Sequence, residues 1–176
     1  VIVANHQSSL DIIMILATFP KVKFMVADWV LTSPLFGVIS RFLGYYSRSE
    51  GYEKSLERLR VDVADGWCLA VFPEGTRSLN GKIKRFHKGA FYLASQVGVP
   101  VIPVVFYGNW RIAPKNQGFN MTEGIAVTEI LPPVQSAGVE YHELTSRISA
   151  IVKAEYAELC RKYDSPVNPY FRKALV

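Results

Sequence analysis

The chain has 176 residues, of which 49% are hydrophobic, 20% charged and 12% aromatic. So much apolar and aromatic material excludes a disordered chain, and the length suits one domain with a sizeable core. A formal charge of +5 favours anionic partners such as phosphate-bearing metabolites or acidic lipid headgroups; no basic helix or aromatic single-strand groove points to nucleic acid.

Strand and helix patterns alternate along the chain. The apolar residues 1–4 read as a strand, residues 10–19 as a helix stopped by Pro20, and residues 23–27 as a second strand. Residues 34–42 look helical, residues 45–47 suit a short strand, and residues 52–65 form an amphipathic helix ended by Gly66. In that helix Leu56, Leu59 and Val63 share one face. Residues 67–72 are a continuous apolar run, the pattern of a strand buried on both sides. A helix over residues 90–97, a strand over 101–107 and a strand over 125–131 follow. Residues 140–163 close the pattern as a long helix with Leu144, Ile148, Ile151, Val152 and Leu159 as its core stripe. This order predicts a single α/β domain whose mostly parallel sheet is covered by helices on both faces.

Two polar blocks fall just after predicted strands, where α/β sheets place their sites. The first is Asn5-His6-Gln7-Ser8-Ser9-Leu10-Asp11. A carboxylate on one ring nitrogen of a histidine fixes its tautomer and leaves the other nitrogen able to take a proton. The same spacing also fits a capping box, with Ser8 as N-cap and Asp11 at the third helical position. Both roles together would require the two carboxylate oxygens to divide the work. The second block is Phe72-Pro73-Glu74-Gly75-Thr76-Arg77-Ser78. Gly75 permits close backbone approach, Arg77 offers a donor fork for phosphate or carboxylate, and Glu74 can hold Arg77 or another donor. A surface turn with a Glu–Arg pair is the plain alternative.

Other chemistries fit poorly. Five residues separate Gly75 from Gly81-Lys82, and Ile83 stands where a P-loop needs Ser or Thr. There is no Gly-x-Ser-x-Gly elbow. Cys68 and Cys160 make no disulfide framework or zinc site, which leaves a reducing compartment as the default. His6, His87 and His142 lack metal-ligand spacing, so no metal is expected. The most apolar stretch, residues 29–46, is broken by Pro34, Gly37 and Arg41, so it is no spanning helix. It is either a core helix or an apolar surface that dips into a bilayer interface.

The first block, the second block and Val101-Ile102-Pro103-Val104, in this order, resemble the glycerolipid acyltransferase family, above all the 1-acyl-glycerol-3-phosphate (lysophosphatidate) acyltransferases. Arg85-Phe86-His87-Lys88-Gly89-Ala90 is similar as well, whereas the chain beyond Tyr107 agrees only in general character. Gly44-Tyr45-Tyr46-Ser47-Arg48 stands for a further family block with compressed spacing, which makes Arg48 a candidate substrate ligand and Arg41 its substitute.

The resemblance implies transfer of a fatty acyl group from an acyl thioester to the hydroxyl of a lysophospholipid, with 1-acyl-glycerol-3-phosphate the leading acceptor. His6 would be the general base and Asp11 its orienter. Glu74, Gly75, Thr76, Arg77 and Arg48 would bind the acceptor, Arg77 at its phosphate. No cofactor is implied; acyl-CoA or an acyl carrier protein thioester is the co-substrate. The basic residues Lys82, Lys84, Arg85 and Lys88 are either a donor or headgroup contact or a solvated face. The rival functions are an O-acyltransferase for another lysolipid, such as an aminoacyl lipid, and a non-catalytic lipid-binding module. The expected setting is the cytoplasmic face of a membrane. Opening on a strand at Val1, residues 1–176 are expected to be the acyltransferase domain of a longer membrane-associated chain.

Overall fold

The computed structural model describes residues 1–34, 36–116 and 121–164, with Phe36 described by its backbone alone. In chain order the elements are β1 (Ile2–Ala4), α1 (Leu10–Thr18), β2 (Val22–Val26), α2 (Asp28–Thr32), α3 (Phe36–Phe42), β3 (Tyr46–Ser47) and α4 (Tyr52–Ala64). They continue with β4 (Cys68–Val71), α5 (Gly89–Val97), β5 (Ile102–Tyr107), α6 (Asn109–Ile112), β6 (Val127–Ile130) and α7 (Tyr141–Tyr163). The strands form one sheet in the order β3-β2-β4-β1-β5-β6. Every neighbouring pair is parallel except β5 with β6. The expected α/β architecture is the observed one.

Side chains alternate across the sheet as the strand period of two requires. Val3, Leu69, Val71, Val105 and Tyr107 point into a core shared with Leu59 of α4, Phe91 and Leu93 of α5, and Leu144, Ile148 and Val152 of α7. Ile2, Ala4, Ala70, Val104 and Phe106 face the other way, onto Ile15 of α1. Three helices thus cover one face. On the other, α1 buries only Asp11 and Ile15 of its nine residues. It leaves Ile12, Ile13 and Leu16 at 36%, 61% and 44% exposure.

The expected stripe of α7 is buried, with Ile151 at its margin. Its first turn is capped by Glu140, whose carboxylate accepts the N–H of His142 at 2.6 Å. Two short helices, α2 and α6, were not expected, because four or five residues are too few to show a period. The helix expected over residues 34–42 spans Phe36–Phe42, with Leu35 outside the described residues. Residues 29–46 do not form a core helix. They divide into α2, α3 and β3, and leave Trp29, Val38, Ile39 and Phe42 exposed. Among the described residues no helix is long and apolar enough to cross a membrane.

Candidate active site

Strands β1 and β4 lie side by side and parallel, with Val3 beside Val71, so both blocks emerge at the same sheet edge. Strand β5 runs parallel on the other side of β1 and delivers its following turn there too. Asn5 prolongs the pairing beyond the end of β1. Its side-chain amide donates to Phe106 O at 2.9 Å, and its Oδ1 accepts the Phe106 N–H at 2.8 Å.

His6 is held by the second block through its own backbone. Its N–H donates to Glu74 Oε1 at 2.8 Å, and its carbonyl accepts the Ser78 N–H at 2.8 Å. The imidazole lies on the Phe72 ring, centroids 3.9 Å apart and planes 14° from parallel. Nδ1 is 2.8 Å from Asp11 Oδ2. A carboxylate only accepts, so Nδ1 carries a proton, and in the neutral ring Nε2 is the nitrogen with the lone pair. Among the described residues no hydrogen-bond partner takes Nε2, and the side chain keeps 14% exposure.

Asp11 is wholly buried. Its Oδ2 accepts not only from His6 but also from the N–H groups of Gln7 at 2.6 Å and Ser8 at 2.8 Å. One oxygen therefore both reaches back to the backbone, as a helix-entry carboxylate does, and orients the imidazole. The expected division between the two oxygens does not occur. Ser8 Oγ accepts the Leu10 N–H at 3.2 Å, while Ser9, the residue before α1, makes no side-chain cap.

Glu74 does not pair with Arg77. Its second oxygen accepts the Lys84 N–H at 2.8 Å, so this carboxylate ties His6 to the loop beyond the second block. Burial pushes the Glu74 carboxyl above its ordinary value, against the pull of those two N–H donors and of nearby His6 and Lys84. Arg77 instead crosses to the first block, donating to Ser9 Oγ at 3.0 Å. Gly75 has φ +70, and a Cβ there would stand 3.4 Å from Arg48 Nη1 and 3.7 Å from His87 Nε2. The turn at 75 is thus flanked by two side chains, and its left-handed backbone suits glycine. Arg48 reaches the second block despite its compressed spacing, whereas Arg41 turns back to Gly37 O at 3.2 Å.

A family model described as Acyltransferase matches residues 1–107. The chain belongs to the acyltransferase family. It is 31% identical over 155 residues to the chloroplastic 1-acyl-sn-glycerol-3-phosphate acyltransferase LPAT1 of Arabidopsis thaliana, covering 85% of this chain and 44% of that protein. The mouse (Mus musculus) 1-acyl-sn-glycerol-3-phosphate acyltransferase alpha is 31% identical over 147 residues, covering 79% of this chain and 51% of that one. The crystal structure of the 1-acyl-sn-glycerophosphate (LPA) acyltransferase PlsC from Thermotoga maritima superimposes with a TM-score of 0.78 at 32% identity. That match covers 90% of this chain and 65% of the solved one. The chain therefore spans well under two thirds of these two curated relatives.

The stretch matched to the acyltransferase family contains His6, Asp11, Arg48 and residues 74–77, and stops at Tyr107. Two site residues missed from the sequence lie just beyond it. Asn109 Nδ2 donates to Asp11 Oδ1 at 2.7 Å, and Lys115 Nζ donates to Thr76 Oγ1 at 2.9 Å. Gly108-Asn109, directly after an apolar strand on the site edge, was the available clue. The basic residues Lys82, Lys84 and Arg85 are exposed. Lys88 is partly buried, 2.5 Å from His142 Nδ1.

Proposed function

We propose that this acyltransferase moves a fatty acyl group from an acyl thioester, of coenzyme A or an acyl carrier protein, to the free hydroxyl of a lysophospholipid. The acceptor is 1-acyl-glycerol-3-phosphate and the product phosphatidate. The observation that carries this reading is the His6 Nδ1–Asp11 Oδ2 bond of 2.8 Å, which leaves Nε2 without a partner among the described residues, at the edge shared by both blocks. The names of the curated relatives agree with that acceptor.

In the proposed step His6 Nε2 takes the hydroxyl proton as the hydroxyl oxygen attacks the thioester carbonyl. A C–O bond forms, the C–S bond breaks, and the departing thiolate takes the proton back from the imidazolium. Asp11 holds the ring and stabilises its transient charge. General-base help of this kind is worth about 10²–10⁴ in rate, and alignment of the two bound reactants supplies much of the rest. The thioester is already activated, so no cofactor enters the scheme. Arg77, Arg48, Thr76 and the Gly75 turn hold the acceptor, with Arg77 at its phosphate. Glu74 serves the site by fixing the His6 backbone.

The setting is the cytoplasmic surface of a membrane. Directly after Asp11, α1 exposes Ile12, Ile13 and Leu16, and α2 and α3 expose Trp29, Val38, Ile39 and Phe42. Apolar side chains presented in this number suit contact with lipid, where both the acceptor and the acyl chains reside.

The test is acyl transfer by the full-length protein, with lysophosphatidate and unphosphorylated monoacylglycerol as acceptors and both donor types. Wild type is expected to favour the phosphorylated acceptor. His6→Ala is expected to lose at least about 10³-fold in kcat while keeping its circular dichroism and melting temperature. Turnover retained by a folded His6→Ala protein would overturn the assigned base.

A further inference from the structure

The turn after β5 closes the surroundings of Asp11 from a side that neither block supplies. Gly108 has φ +86, and a Cβ there would stand 1.9 Å from the carbonyl oxygen of Ile125. The turn thus admits only glycine, and it delivers Asn109 as the first residue of α6. On either side α6 is anchored. The Trp110 indole lies against Gly81 of the loop beyond the second block, where a Cβ would fall 2.4 Å from Nε1. Arg111 donates to the Tyr107 hydroxyl at 2.9 Å and pairs with Asp164 at 2.7 Å.

Asn109 is fully buried. Its Nδ2 donates to Asp11 Oδ1 at 2.7 Å and contacts Met14 Sδ at 3.2 Å. Its own Oδ1 has no partner among the described residues. A buried amide oxygen without a donor is costly, so a side chain retained only for packing would do better as an apolar one. What the amide supplies is its N–H, aimed at the oxygen of Asp11 that His6 does not use.

We propose that Asn109 is a positioning residue for the His6–Asp11 pair, an inference that rests on the reading of His6 as the base. Three donors pin Oδ2, but a carboxylate held by one oxygen can still swing the other. The Asn109 bond at Oδ1 fixes that remaining freedom. The lone pair of Oδ2 then stays directed at Nδ1 while the imidazole charges and discharges. The residue touches no substrate and acts only through Asp11.

The experiment is steady-state acyl transfer by full-length Asn109→Ala and Asn109→Val; the second retains bulk and withdraws the donor without adding a second carboxyl beside Asp11. Both are expected to lose about 10- to 100-fold in kcat, the worth of one hydrogen bond to a charged group. KM for donor and acceptor should stay within about twofold, since no binding contact is removed. On an Asp11→Ala background, Asn109→Ala is expected to cost no further activity, because its route has gone. A folded Asn109→Ala or Asn109→Val protein with wild-type kcat overturns the proposal. So does a full additive loss on the Asp11→Ala background, which would mark Asn109 as structural. His6→Ala, measured alongside, separates the two levels: turnover retained there sinks the base itself, whereas its loss beside neutral Asn109 variants sinks only the positioning role.

Discussion

Asp11 and Arg77 belong to one candidate site but are held in opposite ways. Asp11 is wholly buried and accepts four hydrogen bonds: from His6, Gln7 and Ser8 on one oxygen and from Asn109 on the other. Arg77 carries five N–H donors and, among the described residues, spends one of them on the exposed Ser9 hydroxyl. Arg48, beside the Gly75 turn, is exposed. The difference teaches how labour is divided. The end assigned to chemistry is fixed before any ligand arrives, so little reorganisation is left for the reaction step. The end assigned to the acceptor keeps its donors available, so its geometry can be completed by the ligand. Substitutions at the first end should therefore act on kcat, and those at the second on KM.

Asp11→Asn strains this contrast most. An amide can keep only part of the present pattern. If its oxygen still accepts from Gln7 and Ser8, its NH₂ is left facing the NH₂ of Asn109, and no charge remains to favour the imidazolium. The expected loss is about 10³-fold or more in kcat, with acceptor KM nearly unchanged. Steady-state kinetics with lysophosphatidate checks it. A variant whose KM rises while kcat holds would mean that Asp11 belongs to binding, and the contrast would collapse.

The opposite pattern is expected at the other end. Arg77→Ala should raise the KM for a phosphorylated acceptor by about tenfold, the worth of roughly one charge-assisted hydrogen bond, and lower kcat much less. Arg77→Lys should recover part of that, because it restores charge without the fork. Arg48→Ala should act in the same direction but more weakly, as Arg48 flanks the Gly75 turn and does not join the two blocks as Arg77 does. An unphosphorylated acceptor should hardly respond to either change. If both acceptors lose affinity equally, these arginines hold the loop and not the phosphate.

The sequence made the sheet and the two blocks legible because both are written in local patterns. Apolar runs mark β4 and β5 whatever their partners, and a polar turn between a strand and a helix is visible within ten residues of His6. Asp11 could be read locally in two ways, and the structure shows why: one oxygen performs both roles, so spacing could not separate them. The partners of Glu74 were harder to read. It sits three residues from Arg77, but its carboxylate is aimed at backbone groups 68 and 10 positions away, a choice set by the packing of β1 against β4. Asn109 was illegible for the same reason. It meets Asp11 across 98 positions, and α6, which carries it, is too short to show a period.

Glu74 lies on the boundary between the two ends and gives the finest test. Its carboxyl is raised above the ordinary value, first by burial, while the N–H groups of Lys84 and His6 oppose the rise. The sign follows from linkage. A folded acid with a raised pKa binds protons more readily than the unfolded chain, so its contribution is most favourable below the unfolded value of 4.5. It is lost as pH climbs from there through the folded value. Urea unfolding of wild type and Glu74→Gln at several pH values isolates this, since other groups cancel in the difference. Wild type minus Gln should fall as pH rises above 4.5 and then level off. At neutral pH, Glu74→Gln should lower kcat only a few-fold, because an amide can satisfy one of the two N–H donors but not both. If the difference instead grows with pH, the ionised carboxylate is stabilised by its donors more than burial penalises it. Glu74 would then belong with Asp11 as a fully compensated charge, and the rigid end of the site would extend across both blocks.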